Sequence, residues 1–99
     1  MNLELNKVYT IKLVSGEEVI AKVIKQSEDS IELSDPLSVA PGPQGMGLIP
    51  SLFTVKPGES VVLNTKAITM YAATEENIEA KYTETTTGIS VPSKKILVG

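Results

Sequence analysis

The sequence predicts a small, mostly β domain, and three observations carry that expectation. The chain has 99 residues, the size of one hydrophobic core. Apolar and polar residues alternate with a period of two through several short segments, as they do in strands with one buried face. Those segments are separated by short polar turns, the pattern of strands joined by tight connections.

Tyr9, Ile11 and Leu13 alternate with Thr10 and Lys12, which marks the first strand. Ser15-Gly16-Glu17 is a turn, with a glycine able to take a positive φ. In the next strand Val19, Ala21 and Val23 alternate with Ile20, Lys22 and Ile24, and the lysine implies that its second face is partly wet. Ser27 to Ser30 is a second polar turn before Ile31, Leu33 and, past Asp35-Pro36, Leu37 to Val39. The expectation to this point is a three-stranded meander.

Pro41 to Pro50, rich in proline and glycine, argues against a ladder-forming strand. Leu52-Phe53-Thr54-Val55 reads as one more strand and Pro57-Gly58-Glu59 as a turn. Val61-Val62-Leu63 and Ile68 to Ala72 then read as two strands joined around Asn64 to Ala67. Thr74-Glu75-Glu76-Asn77 resembles a helix start with Thr74 as its N-cap. Only about two turns are expected, because the β-branched cluster Thr83 to Thr87 and Gly88 disfavour helix. The apolar Ile89, Val91, Ile96, Leu97 and Val98 imply that the tail docks on something. The organisation expected is a single domain over 1–99, with a core at about 7–73 and a C-terminal extension at 74–99.

Composition narrows the function. Lysines and acids number 9 and 12, with no arginine and no histidine, for a net charge of −3. An acidic chain is a poor match to proteins that hold nucleic acid by neutralising phosphates. Without arginine it also lacks the bidentate fork for guanine and phosphate. Without histidine or cysteine it lacks the commonest bases, nucleophiles and transition-metal ligands. The carboxylate pairs Glu17-Glu18, Glu28-Asp29 and Glu75-Glu76 read as solvated surface charge. The glycine-rich Pro41 to Gly47 lacks the Lys-Ser/Thr of a phosphate-binding loop. The expectation is a protein that is not an enzyme and needs neither metal nor cofactor. No hydrophobic leader or membrane-spanning run is readable, so a cytoplasmic location and no membrane partner are expected.

Two segments carry a family resemblance. Leu13–Val23, L-V-S-G-E-E-V-I-A-K-V, resembles the first Sm motif, in which a strand ends in a polar-Gly turn before an apolar, strongly bent second strand. Val61–Tyr71, V-V-L-N-T-K-A-I-T-M-Y, has the spacing of the second Sm motif, two short strands joined by a tight turn. The resemblance implies a strongly bent five-stranded Sm-like (SH3-like) barrel, here with an extended loop or β arm and a C-terminal short helix and tail. Departures from the family pattern are specific. Ala21 replaces the second glycine of the first motif, and Asn64 and Thr65 stand at the Arg-Gly positions of the second. The base-pocketing loop is not intact: with one deletion allowed, Gln26 falls at the acidic position and Ser30 at the asparagine. Asp35–Ser60 is longer than the usual loop between the third and fourth strands.

The function this resemblance implies is a homo-oligomeric ring that binds single-stranded RNA at its pore, through Ser30, Asn64, Thr65 and Lys66. Asn64 and Lys66 supply donors for a base edge or phosphate. The alternative is a structural or adaptor ring that binds protein, through the apolar loop 41–53, and has lost RNA binding. A physical reason for a ring stands beside the family label, because a small bent sheet has two edge strands with unpaired backbone groups. Pairing the fourth strand of one protomer with the fifth of the next satisfies both, and such a head-to-tail contact closes if the rotation permits. The segment 35–60 should form an extended β arm with Pro41 to Gly47 at its tip and an apolar base packed on the barrel or a neighbour. In that case Phe53→Ala costs about 3 kcal/mol if the ring is buried.

Overall fold

Alternation in the first forty residues becomes an antiparallel meander. A computed structural model of the chain describes residues 1–43, 45–56 and 58–88. The strands are β1 (Lys7–Leu13), β2 (Glu18–Gln26), β3 (Ser30–Gly42), β4 (Gly45–Pro50), β5 (Ser60–Asn64) and β6 (Ile68–Ala73). A 3-10 turn, Thr65–Ala67, joins β5 to β6, and a helix, α1 (Glu76–Thr87), follows β6. The six strands form one sheet in the order β4-β3-β2-β1-β6, with β5 also paired to β3. The long β3 takes two partners in succession, β5 along Ser30–Ser34 and β4 along Leu37–Gly42.

Three irregularities interrupt the ladders of the sheet, one of them between β1 and β6 at Lys12 and Leu13. The β2–β3 register shifts between Ile20 and Lys22, and again between Val23 and Lys25. At the first shift Asp35 and Pro36 on β3 stand opposite Ala21 alone, and Asp35 has a positive φ of 49°. An extra residue in one strand kinks the ladder and increases its twist. At the start of β2, Gly16 turns the chain with φ 95°, its N–H donating to the Leu13 carbonyl at 2.8 Å.

The bent sheet buries side chains on both faces. Leu3, Tyr9, Ile11, Val19, Ala21, Val23, Ile31 and Leu33 form the larger cluster, with Leu13, Leu63 and Ile68 against them. Val8, Ile20, Leu37 and Tyr82 form a second cluster, with Val39, Leu48 and Ile78 beside it. The second face of β2 is therefore only partly wet: Lys22 is exposed, while Ile20 lies buried in the cluster that includes Tyr82 of α1.

Several expectations need correction. The sheet has six strands rather than five, and among the described residues no ladder joins β5 to β6, so it is an open sheet and not a closed barrel. The extra strand is β4, inside the stretch that proline and glycine marked as strand-breaking. Beyond Ser38, β3 has no β2 partner, and β4 lies at the edge of the sheet. Prolines are tolerated where one side of a strand has no ladder to lose, so Pro41 and Pro50 fit here. Gly45, with φ 102°, lets the hairpin turn between Gly42 and Gly45. The expected β arm is thus formed, as the β3–β4 hairpin. By contrast Leu52-Phe53-Thr54-Val55 is not a strand, and Phe53 is 77% exposed rather than packed at the base of the arm.

Helix α1 is longer than expected, at 12 residues, and its N-cap is Glu75 rather than Thr74. The Glu75 carboxylate accepts from the Ile78 N–H at 2.9 Å. In the last turns of the helix Thr85, Thr86 and Thr87 donate their hydroxyls to the carbonyls of Lys81, Tyr82 and Thr83 at 2.8, 2.9 and 2.6 Å. That back-bonding keeps each hydroxyl within its own helix. The expected docking of the apolar tail falls on residues 89–99, outside the described residues.

Candidate functional site

Ser30, Asn64, Thr65 and Lys66 are far apart in sequence, and the fold brings them to one end of the sheet. The β3–β5 ladder sets Ser30 opposite Asn64. The 3-10 turn then lies against the β2–β3 turn, where the Thr65 N–H donates to the Asp29 carbonyl at 2.9 Å and the Thr65 hydroxyl donates to the same oxygen at 3.0 Å. The Asn64 side-chain oxygen accepts from the Lys66 N–H at 2.8 Å, capping the turn. Ser30 and Ser27 share a hydroxyl–hydroxyl bond of 3.0 Å.

Much of the polar capacity of this end is therefore spent on holding two turns together. Gln26 is occupied in the same way. Its amide accepts from the Leu3 N–H at 3.0 Å and donates to the Leu3 carbonyl at 2.8 Å, pinning the N-terminal segment. Lys66 differs, being exposed and in no ion pair among the described residues. Its surroundings are acidic, with Glu28 and Asp29 exposed in the adjoining turn. A shallow recess of about 290 Å³ beside these turns is lined by Lys25, Gln26, Ser27, Ser30, Glu32 and Val62.

A second concavity lies at the opposite half of β3. It measures about 380 Å³ and is walled by Leu37 of β3, Leu48 of β4, Leu52 and Phe53 of the following loop, and Thr85 and Thr86 of α1. The sequence marks 41–53 as an apolar loop, which holds Leu48, Leu52 and Phe53, but gives no sign of the far wall. No local pattern connects the end of α1 to β3. That contact depends on Tyr82, which is buried against the sheet.

The carboxylate pairs are dispersed. Glu18 lies 3.7 Å from the Lys12 ammonium, Glu75 caps α1, and Glu17 accepts from the buried Ser38 hydroxyl. Ser38 also lies 2.9 Å from the Ser51 hydroxyl, which ties the β1–β2 turn to the base of the β3–β4 arm. Among the described residues no group of three or more histidines, cysteines or acids could hold a metal ion, and no helix is long and apolar enough to cross a membrane.

Compared with models of known protein families and with curated proteins, the chain matches none.

Proposed function

We propose that the chain is an Sm-like module that assembles head to tail into a closed homo-oligomeric ring. The observation that carries this reading is the pair of unpaired edges at opposite ends of the open sheet. β5 pairs only with β3 and β6 only with β1 among the described residues. Both strands expose apolar side chains, with Val62 on β5 68% and Met70 on β6 64% exposed. An uncovered apolar edge is a template for another strand. β4 is the poorer candidate, since Gly45, Gly47 and Pro50 weaken its outer edge. Joining β5 of one protomer to β6 of the next uses different surfaces on each copy, which generates a ring when the rotation closes.

In such a ring the turns carrying Ser30, Asn64, Thr65 and Lys66 line the pore, and single-stranded RNA is the ligand of the first reading, with Lys66 meeting phosphate. The second reading is a structural or adaptor ring that binds protein. It is favoured by the internal engagement of Asn64 and Thr65 and by the acidic Glu28 and Asp29 next to Lys66. Light scattering tests the assembly common to both. At micromolar concentration the expected mass is a fixed multiple of 10.6 kDa. Val62→Lys combined with Met70→Lys should reduce it to one chain while leaving the circular dichroism of the strands unchanged. A monomer for the unaltered chain at every concentration overturns the ring.

A further inference from the structure

We infer that the groove between β3, β4, the loop after it and the end of α1 binds a small amphipathic ammonium, an alkyl or aryl amine carried as its cation. Its volume of about 380 Å³ falls within the range of small-ligand pockets. Its walls are apolar, built from Leu37 of β3, Leu48 of β4, and Leu52 and Phe53 of the following loop. Phe53 is 77% exposed, so that wall stays in water until a ligand covers it.

The polar groups around the groove set the ligand's charge, because nearly all of them accept hydrogen bonds. Pro36 and Pro50 bring no N–H. Thr85 and Thr86 spend their hydroxyl protons on the carbonyls of Lys81 and Tyr82, at 2.8 and 2.9 Å, which leaves oxygen lone pairs for the groove. Asp35 and Glu59 bring carboxylates, and Lys56 is the one cationic side chain lining the groove among the described residues. Asp35 owes its place to the irregularity of β3. With Pro36 it stands opposite Ala21 alone, at a φ of 49°, and a bulge of this kind re-aims a side chain. The Ser34 hydroxyl donates to Asp35 Oδ2 at 3.0 Å, and the carboxylate has further lone pairs to offer. An anionic head would meet two carboxylates, and a neutral alcohol would forgo the charge-assisted bond. An ammonium donates to Asp35 while its apolar body covers Leu37, Leu48 and Leu52.

Titration of n-octylamine into the isotope-enriched full chain at neutral pH, followed by NMR, tests this. The ammonium should shift the methyl resonances of Leu37, Leu48, Leu52 and Val55 saturably. Octanol, with the same chain and no charge, should bind about tenfold more weakly, and octanoate more weakly still. Asp35→Asn keeps a residue that tolerates a positive φ. It should weaken the ammonium about tenfold and leave octanol unchanged, whereas Lys56→Gln should strengthen the ammonium. Ammonium affinity should also fall as salt rises. The inference is overturned by equal affinities for ammonium and alcohol, or by the absence of a saturable shift up to millimolar concentration. Shifts confined to other parts of the chain, or an Asp35→Asn chain that binds the ammonium as tightly as before, overturn it as well. The lining residues all belong to one chain, so the titration reads the groove whether or not the ring forms, and light scattering of the same sample reports the ring separately.

Discussion

Tyr82 is the residue through which α1 is joined to the sheet. Its ring is 2% exposed, in the cluster with Val8, Ile20 and Leu37. Its hydroxyl donates to the Ser34 carbonyl at 2.7 Å and accepts from the Lys22 N–H at 3.1 Å. Those two residues flank the irregularity where Asp35 and Pro36 interrupt the ladder, so the phenol bridges backbone groups at the bulge. Tyr82→Phe keeps the ring and leaves both backbone groups without that partner, which should cost about 1–3 kcal/mol in urea unfolding. Burial pushes the phenol pKa up to about 12; the Lys22 N–H opposes that shift and the Asp35 charge adds to it. A folded pKa above the unfolded one means that the unfolded state ionises first as pH rises. The corresponding stability is complete below the unfolded value near 10 and is lost as pH climbs to about 12. Measured across that window, the unaltered chain should lose more stability than Tyr82→Phe, and parallel curves would show that this phenol does not drive the loss.

At the scale of elements, the β3–β4 arm and the loop after it differ in how firmly they are held. Leu48 of β4 packs beside the cluster of Ile20, Leu37 and Tyr82, whereas Met46 at the tip is exposed. Met46→Ala should change stability by less than about 0.5 kcal/mol. Leu48→Ala should cost more, toward about 2 kcal/mol because its site is only half-buried. Phe53 supplies the more informative comparison. Its replacement by alanine should be nearly neutral in chemical denaturation, since the ring is 77% exposed. A cost of about 3 kcal/mol would show instead that the ring is covered.

The whole molecule presents an open sheet whose two end strands, β5 and β6, are consecutive in the chain and joined by a turn that Thr65 ties to the β2–β3 turn at Asp29. If the chain assembles as proposed, what the ring binds is decided by charge summed over protomers. Each copy would then bring Lys66 to the pore, but also Glu28 and Asp29. If single-stranded RNA binds there, affinity for uridine- or adenine-rich oligomers should fall as salt rises, because phosphate neutralisation releases counterions. Lys66→Ala should then weaken binding and flatten the salt dependence, and a variant that remains monomeric should lose binding altogether. Anisotropy measurements at low salt that detect no binding would leave the adaptor reading.

The sequence by itself determined the meander, because Tyr9, Ile11, Leu13, Val19, Ala21, Val23, Ile31 and Leu33 repeat at the strand period, and that period selects one face for the larger core cluster. It also located the β5–β6 connection, since Asn64 to Ala67 separates two apolar runs whose spacing permits only a tight turn. Local rules failed where a distant partner changed the balance. Proline argued against a ladder at Pro41 and Pro50, yet strands with a free side lose nothing there. Threonine argued against helix at 83–87, yet Tyr82 anchors α1 on the sheet and the hydroxyls bond back along it. The apolar Leu52 and Phe53 argued for a strand, yet β3 already carries β4 and β5 in succession. Residues 51–59 are left to connect those two strands and to wall the groove. The pairing of Ser30 with Asn64 was expected only from the spacing of the segments that resemble the Sm motifs, and tertiary structure alone decided that Thr65 bonds to the Asp29 carbonyl. Hydrogen-bond partners so distant in sequence have no local signal, because they are chosen by which turns the bent sheet brings into contact.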